Sequence, residues 1–364
     1  MLSFNRTYEI PFKYDIPCQT QLHLQQKNQY KRFIKFLKRY LYIILKGQKN
    51  REIFEILPDH KKILWINISA PSLGDSLMDL SSRIILTDKS VDLFTDKKNA
   101  HIYLNDQVFN NIYTKVTDVD RFKYDLVVID SYSSRSIKIK SKIAPKTLYV
   151  GMFGYFNGPE VNRILFSFHQ MNYLLGYFKS ENEINNLARA SISISRKDQE
   201  IVNNIIPDRY ISIVLGGEWK HKTYKKWNKV VERIIFEDKA LNIVFVGSEN
   251  AQNVSKELLE KFPQNNFFNF VAKLSFNQTV EVIRRSQILL CCDGGLMHAA
   301  NAINTNIVPL FARLTPKMLL TKNMSSYTLY DENDVNNIPV KDVLSKYYEA
   351  SNLLGGNSKD EYFF

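Results

Sequence analysis

An aspartate, two glycines and a histidine follow one short apolar run: Ile288 to Cys292 leads into Asp293-Gly294-Gly295-Leu296-Met297-His298. That order reads as a strand feeding a helix through a turn too tight for side chains. The free N–H groups at such a helix start, together with the helix dipole, bind phosphate. Two glycines let an anion come close to the main chain. The plainer alternative is a strand–turn–helix whose glycines serve only the turn. His298, three residues into a run of small residues, is either a packed histidine or a further phosphate contact.

Three other stretches carry chemistry. Gly216-Gly217 opens a segment with Lys220, Lys222, Lys225 and Lys226 within seven residues, a density suited to neutralising a diphosphate or to a solvated basic loop. The segment nearly spells a P-loop, but His221 occupies the place of the glycine before Lys222-Thr223. A side chain there blocks the close phosphate wrap, which excludes an NTPase reading. Leu73-Gly74-Asp75-Ser76 offers a carboxylate that either caps a helix or serves as a general base. Phe245-Val246-Gly247-Ser248-Glu249 places Glu249 where it accepts from ribose hydroxyls or simply begins a helix favourably. Asp118 and Asp120, spaced like a metal-holding pair but set among loop-like residues, are read as surface charge.

The elements that must position these residues alternate. Strands are predicted at Ile63–Ile68, Val91–Phe94, Asp125–Ile129, Tyr210–Leu215, Leu241–Val246, Phe267–Val271, Ile288–Cys292 and Ile307–Phe311. Helical patterns separate them at Tyr224–Phe236, Ala251–Phe262 and Ser275–Arg285, and an aromatic helix is expected over Asn157–Asn186. Short apolar runs alternating with helices imply parallel sheets built from βαβ units. The expected organisation is a basic, partly helical extension over 1–60, a Rossmann-like acceptor domain over 61–195, a Rossmann-like nucleotide-sugar domain over 196–350, and a flexible tail over 351–364. Because ligands of open α/β sheets sit beyond the carboxyl ends of strands, the glycine turns are expected to converge on one cleft between two facing sheets.

Bulk properties fit this plan. A chain of 364 residues exceeds what one core usually serves, and 45% apolar content argues against disorder. The formal net charge of +12 draws nucleic acid, anionic lipid or phosphorylated substrates without choosing among them. Three cysteines, two of them adjacent, make neither a disulfide framework nor a zinc site and fit a reducing cytosol. Met1 to Cys18 has no signal-peptide core and no run reaches the length of a membrane span. From Lys27 to Arg51 there are nine basic residues and no acidic one, with Phe33, Leu37, Tyr40 and Ile44 at helical spacing. Such a helix either lies on an anionic membrane, at the cytoplasmic face of the inner membrane, or docks on the body with a solvated basic face.

Leu73-Gly74-Asp75, Lys225-Lys226-Trp227, Gly247-Ser248-Glu249 and Asp293-Gly294-Gly295-Leu296-Met297-His298, in this order over about Lys61 to Phe311, resemble the ADP-heptose:lipopolysaccharide heptosyltransferases of glycosyltransferase family nine. The resemblance implies a two-domain GT-B fold. It implies inverting, metal-independent transfer of heptose from ADP-heptose, with no cofactor, to an anionic lipopolysaccharide or lipooligosaccharide core acceptor. Asp75 would deprotonate the acceptor between Gly74 and Ser76. Lys225, with Lys222 beside it, and the turn Asp293, Gly294, Gly295, Leu296, His298 would hold the phosphates, and Glu249 the ribose. Departures are Gly294 where the family usually has Ser or Thr, Asn228 where a proline follows the tryptophan, and the basic preface. Alternatives are another donor or a protein or glycan acceptor within the same fold, a non-catalytic nucleotide-sugar binder, and a nucleic-acid binder. No nucleic-acid motif is visible, so no such partner is expected.

Overall fold

The structure, a computed structural model, describes residues 29–154, 162–263, 266–321 and 326–356. The segment Met1 to Cys18, Lys27 and residues 357–364 of the expected tail lie outside the described residues; its first six residues, 351–356, are not a tail but the end of the helix Val340–Gly356. The chain divides into two compact units, one of residues up to Ser193 with Lys317–Lys322, the other of Ile194–Pro316 and the residues from Asn323 onward.

Unit 1 holds five parallel strands, β1 (Lys62–Asn67), β2 (Ser90–Thr95), β3 (Phe109–Tyr113), β4 (Leu126–Ile129) and β5 (Leu148–Gly151), in the order β3-β2-β1-β4-β5. Runs such as Ile63-Leu64-Trp65-Ile66 are apolar at consecutive positions because a parallel sheet is covered on both faces, and all four are fully buried. Chain order reverses between β1 and β4, so the loops after these two strands meet at the carboxyl edge.

Around the sheet stand α1 (Gln29–Leu45), α2 (Leu73–Asp79), α3 (Ser134–Ile143) and α4 (Arg163–Leu174). The strands β3 and β5 were not expected. The first is an edge strand, Phe-Asn-Asn-Ile-Tyr, whose polar residues hide the pattern, and the second is only four residues long. Of the expected helix over Asn157–Asn186, residues 157–161 lie outside the described residues; the remainder forms α4 and a separate Glu181–Leu187 helix. Gly176 and Tyr177 both adopt positive φ, 74° and 57°, which ends α4, and Ser180 then caps the next helix.

The basic helix α1 docks on unit 1. Phe36 and Ile43 are buried in one core cluster with Ile137 and Ile143 of α3. The face that packs is therefore Phe36–Ile43, one step round from the stripe read in the sequence. Phe33, Leu41, Ile44 and Leu45 remain exposed on the other side. Among the described residues no helix is long and apolar enough to cross a membrane.

Unit 2 holds six parallel strands, β6 (Tyr210–Val214), β7 (Asn242–Val246), β8 (Phe267–Asn269), β9 (Leu289–Cys292), β10 (Ile307–Ala312) and β11 (Leu329–Asp331), in the order β11-β10-β9-β6-β7-β8. Its helices include α5 (Trp227–Glu237), α6 (Gln252–Lys261), α7 (Phe276–Arg285), α8 (Gly295–Ala302) and α9 (Val340–Gly356). Here the order reverses between β6 and β9, which sets the lysine loop after β6 beside the glycine turn after β9. Cys291 and Cys292 are free thiols inside β9, and burial pushes the Cys292 thiol up to about 12. Neither is a nucleophile.

Candidate active site

In unit 1 the loop after β1 is fixed from β4. Asp130, at the end of β4, accepts from the N–H groups of Ile68 (2.8 Å) and Ser69 (2.6 Å) and from the Ser136 hydroxyl (2.6 Å). This rigid loop delivers α2. The cap of α2 is Ser72: its Oγ accepts from the Asp75 N–H at 3.2 Å, and its hydroxyl donates to Asp75 Oδ2 at 2.6 Å. Asp75 is therefore not the cap that its position suggested. It lies in the first turn, where the helix dipole favours its charge, and stays half-buried. Gly74 is buried beside it. Ser76 points inward, its hydroxyl 2.9 Å from the Tyr103 hydroxyl and 3.5 Å from Asn67 Oδ1. It therefore anchors α2 to the sheet.

In unit 2 three loops meet on the carboxyl edge. Gly217 takes a hydrogen bond on its carbonyl from Asn250 Nδ2 at 2.8 Å, which joins the β6 loop to the β7 loop. Gly247 (φ 150°) lies where a Cβ would come within 2.5 Å of the Leu215 carbonyl, so only glycine closes these loops together. Glu249 is exposed at the start of the turn Glu249–Ala251 on the same edge.

The lysine loop is pinned by Asn336. Its Oδ1 accepts from the Lys225 N–H at 2.8 Å and its Nδ2 donates to the Thr223 carbonyl at 2.9 Å. The Lys225 side chain is exposed. Lys222 instead turns in and forms an ion pair with Asp293, whose side chain is only 3% exposed. On the other carboxylate oxygen, His298 Nε2 lies 3.7 Å away. Between them α8 begins at Gly295 without a side-chain cap, so the first N–H groups of the helix point out of Gly294, Gly295 and Leu296. The neighbouring His221 is held below its ordinary pKa by burial and by the cations Arg313 and Lys222, which keeps it neutral at pH 7.

One expectation about this turn needs correction. Gly294 has φ 179°, extended backbone open to any residue, and a Cβ there would meet nothing closer than the Cys292 carbonyl at 3.9 Å. The turn is not too tight for a side chain at this position, and a serine or threonine would fit.

The structure thus brings Lys222, Asp293, Gly294, Gly295, Leu296 and His298 together in unit 2, with Glu249 and Lys225 on adjoining loops of the same edge, and places Gly74, Asp75 and Ser76 on α2 in unit 1. The sequence reading missed Ser72, Asp130, Asn250 and Asn336. Ser72 was legible as a serine three residues before an acidic one. Asn250 and Asn336 act only across long sequence separations and left no local signal. Among the described residues no group of three or more His, Cys, Asp or Glu side chains is arranged to hold a metal ion.

Solved structures share this architecture. A family 9 glycosyl transferase from Veillonella parvula superposes with a TM-score of 0.67 at 13% identity, over 81% of this chain and 98% of that one. E. coli ADP-heptose lps heptosyltransferase II gives 0.62 at 17% identity, over 79% and 98%. E. coli heptosyltransferase WaaC, solved with ADP, gives 0.62 at 14% identity, over 79% and 99%. At such identities the likeness establishes the GT-B fold alone. No curated protein matches the sequence. The sequence pattern of glycosyltransferase family 9 (heptosyltransferase) matches residues 157–338, half of the chain and the part that contains the lysine loop and the Asp293 turn, and on that match the chain belongs to glycosyltransferase family 9.

Proposed function

We propose that the protein transfers heptose from ADP-heptose, with inversion and without a metal, to an anionic lipopolysaccharide or lipooligosaccharide core acceptor. The observation that carries this reading is the set Lys222, Asp293 and His298 around the uncapped start of α8. Breaking a glycosyl–phosphate bond builds positive charge on the sugar and negative charge on the departing diphosphate. Fixed N–H dipoles and the ammonium groups of Lys222 and Lys225 stabilise that leaving group at no reorganisation cost. Asp75 takes the acceptor hydroxyl proton, and attack on the face opposite the diphosphate inverts the anomeric carbon. Glu249 accepts from the ribose hydroxyls. The relative solved with ADP supports an adenine nucleotide donor.

A thermal-shift panel of nucleotide sugars, followed by transfer to a purified core lipid, tests this. A donor at 100 times its Kd adds about 2.7 kcal/mol to stability. ADP-heptose and ADP are expected to raise Tm clearly, and UDP-, GDP- and CMP-sugars to leave it unchanged. Stabilisation by another nucleotide sugar alone would replace the donor.

A lipid acceptor is presented at a membrane, and α1 suits such a surface. Its exposed side carries Phe33, Leu41, Ile44 and Leu45, with Lys35, Lys38 and Lys46 exposed beside them. Apolar side chains enter the headgroup boundary while lysines meet anionic lipid. The protein is expected to co-sediment with phosphatidylglycerol vesicles and not with phosphatidylcholine vesicles. Leu41→Ser/Ile44→Ser gives up about 1.5–3 kcal/mol per side chain if both are fully inserted and should weaken binding by about a hundredfold or more. Equal binding to both vesicle types, or an unaffected variant, would remove α1 as the membrane contact.

A further inference from the structure

We propose that Asp79 and Arg163 form a charge-setting pair behind Asp75, in which Asp79 neutralises Arg163 and keeps the field of the guanidinium from Asp75. The inference rests on the reading of Asp75 as the base. Asp75 and Asp79 are four residues apart on α2, hence on one face with Cβ atoms about 5–6 Å apart. Asp79 is 1% exposed. Arg163, the first residue of α4, reaches it with Nε at 2.7 Å and Nη2 at 2.5 Å, both on Oδ1, while its guanidinium packs over the Phe153 ring at 5.1 Å.

The pair is poorly built for stability. Both N–H groups go to one oxygen, and Asp79 Oδ2 is buried without a partner. A well-packed apolar pair of the same volume would serve a merely structural role as well or better. What the charges do is couple to Asp75. Burial pushes the Asp79 carboxyl up to about 6, against the pull of Arg163, and the charges of Asp75 and Asp130 push the same way. Arg163, despite its burial, is held above its ordinary value by Asp79 first and Asp75 next. Arg163 thus gives both of its recorded side-chain contacts to Asp79, and Asp75 acts on the same cation through space. The other charged groups around α2 are committed elsewhere. Arg83 pairs with Asp106, Lys98 donates to the Pro71 carbonyl, and Asp130 accepts from backbone N–H groups. Tyr103, its pKa raised by burial, stays neutral.

The test is kcat against pH for transfer from ADP-heptose, with ADP affinity measured in parallel. In Asp79→Asn the guanidinium loses its partner and turns its field on Asp75. An unpaired positive charge nearby favours the ionised form of a carboxylate. The acidic limb should therefore move down, and plateau kcat should fall several-fold, while ADP affinity holds. Arg163→Gln leaves two neighbouring carboxylates and should move the limb up. Asp79→Asn/Arg163→Gln removes both charges and should return it to the wild-type position, as should Asp79→Glu. The opposite signs of the two single variants keep the test decisive if one of them fails to fold. Lower Tm with an unmoved limb in every variant overturns the pair and leaves the function standing. A wild-type chain that transfers no sugar overturns the reading of Asp75 on which the pair depends.

Discussion

Asp75→Ala is expected to lower kcat by about 10²–10⁴-fold, the range that a positioned general base supplies, while ADP binds with unchanged affinity. The separation of effects follows from where the residues lie. Asp75 stands on α2 of unit 1, and the groups proposed to hold phosphate belong to the loops of unit 2. Removal of the carboxylate takes away the proposed proton acceptor and none of the groups proposed to hold the donor. Asp75→Asn is the sharper variant because the amide keeps the shape and can still accept from the Ser72 hydroxyl, which now donates to Asp75 at 2.6 Å. It should be nearly as inactive as Asp75→Ala. Ser72→Ala separates cap from base: loss of the N-cap costs about 1 kcal/mol of stability yet leaves the carboxylate in place. Single-turnover transfer with saturating ADP-heptose, alongside calorimetric titration of ADP, reads all three. Full activity in Asp75→Ala removes this residue from the mechanism.

The alternation of strands and helices was legible because a strand covered on both faces must be apolar at every position. Ile63 to Ile66 and Ile307 to Phe311 announce themselves for that reason. The edge strands β3 and β11 did not, since an edge position tolerates Asn110, Asn111 and Tyr330. The break after Leu174 was missed because a tyrosine at φ 57° has no sequence mark, although Gly176 before it does. For α1 the helical period was right, and of the stripe read there Tyr40 packs on the core while Phe33 and Ile44 stay exposed. An apolar residue lies on almost every side of that helix, so pattern alone could not choose between Phe36–Ile43 and Phe33–Ile44.

The site followed a similar division. Turns that need glycine for steric reasons, Gly217 and Gly247, could be placed from composition and strand order. Gly294 could not be interpreted that way, because the backbone there is extended and the space beside it open. Of the four lysines after β6, spacing gave no means to tell which one turns inward. The answer depends on Asn336, more than a hundred residues away, which fixes the loop so that Lys225 faces out and Lys222 meets Asp293. Asp79 went unnoticed as the last residue of α2 because its partner Arg163 lies 84 positions further on.

Lys222→Ala is expected to raise the Kd for ADP by about 10–100-fold, from the loss of a charge-assisted contact worth about 1.5–3 kcal/mol. The consequence reaches beyond the contact itself. With Lys222 gone, the nearly buried Asp293 carboxylate faces the incoming diphosphate unneutralised at the start of α8, and like charges repel. Lys222→Ala/Asp293→Asn should therefore bind ADP more tightly than Lys222→Ala alone, a non-additivity that a double-mutant cycle measures directly. Lys225→Ala removes an exposed ammonium from the same edge and should also weaken ADP binding, with a stronger dependence on ionic strength because that charge is open to screening. His298 stays in place in every variant, with its Nε2 near the side chain at position 293. Equal Kd values for wild type and Lys222→Ala would mean that the ion pair only braces the loop, and the phosphate contact would then pass to Lys225 and the N–H groups of α8.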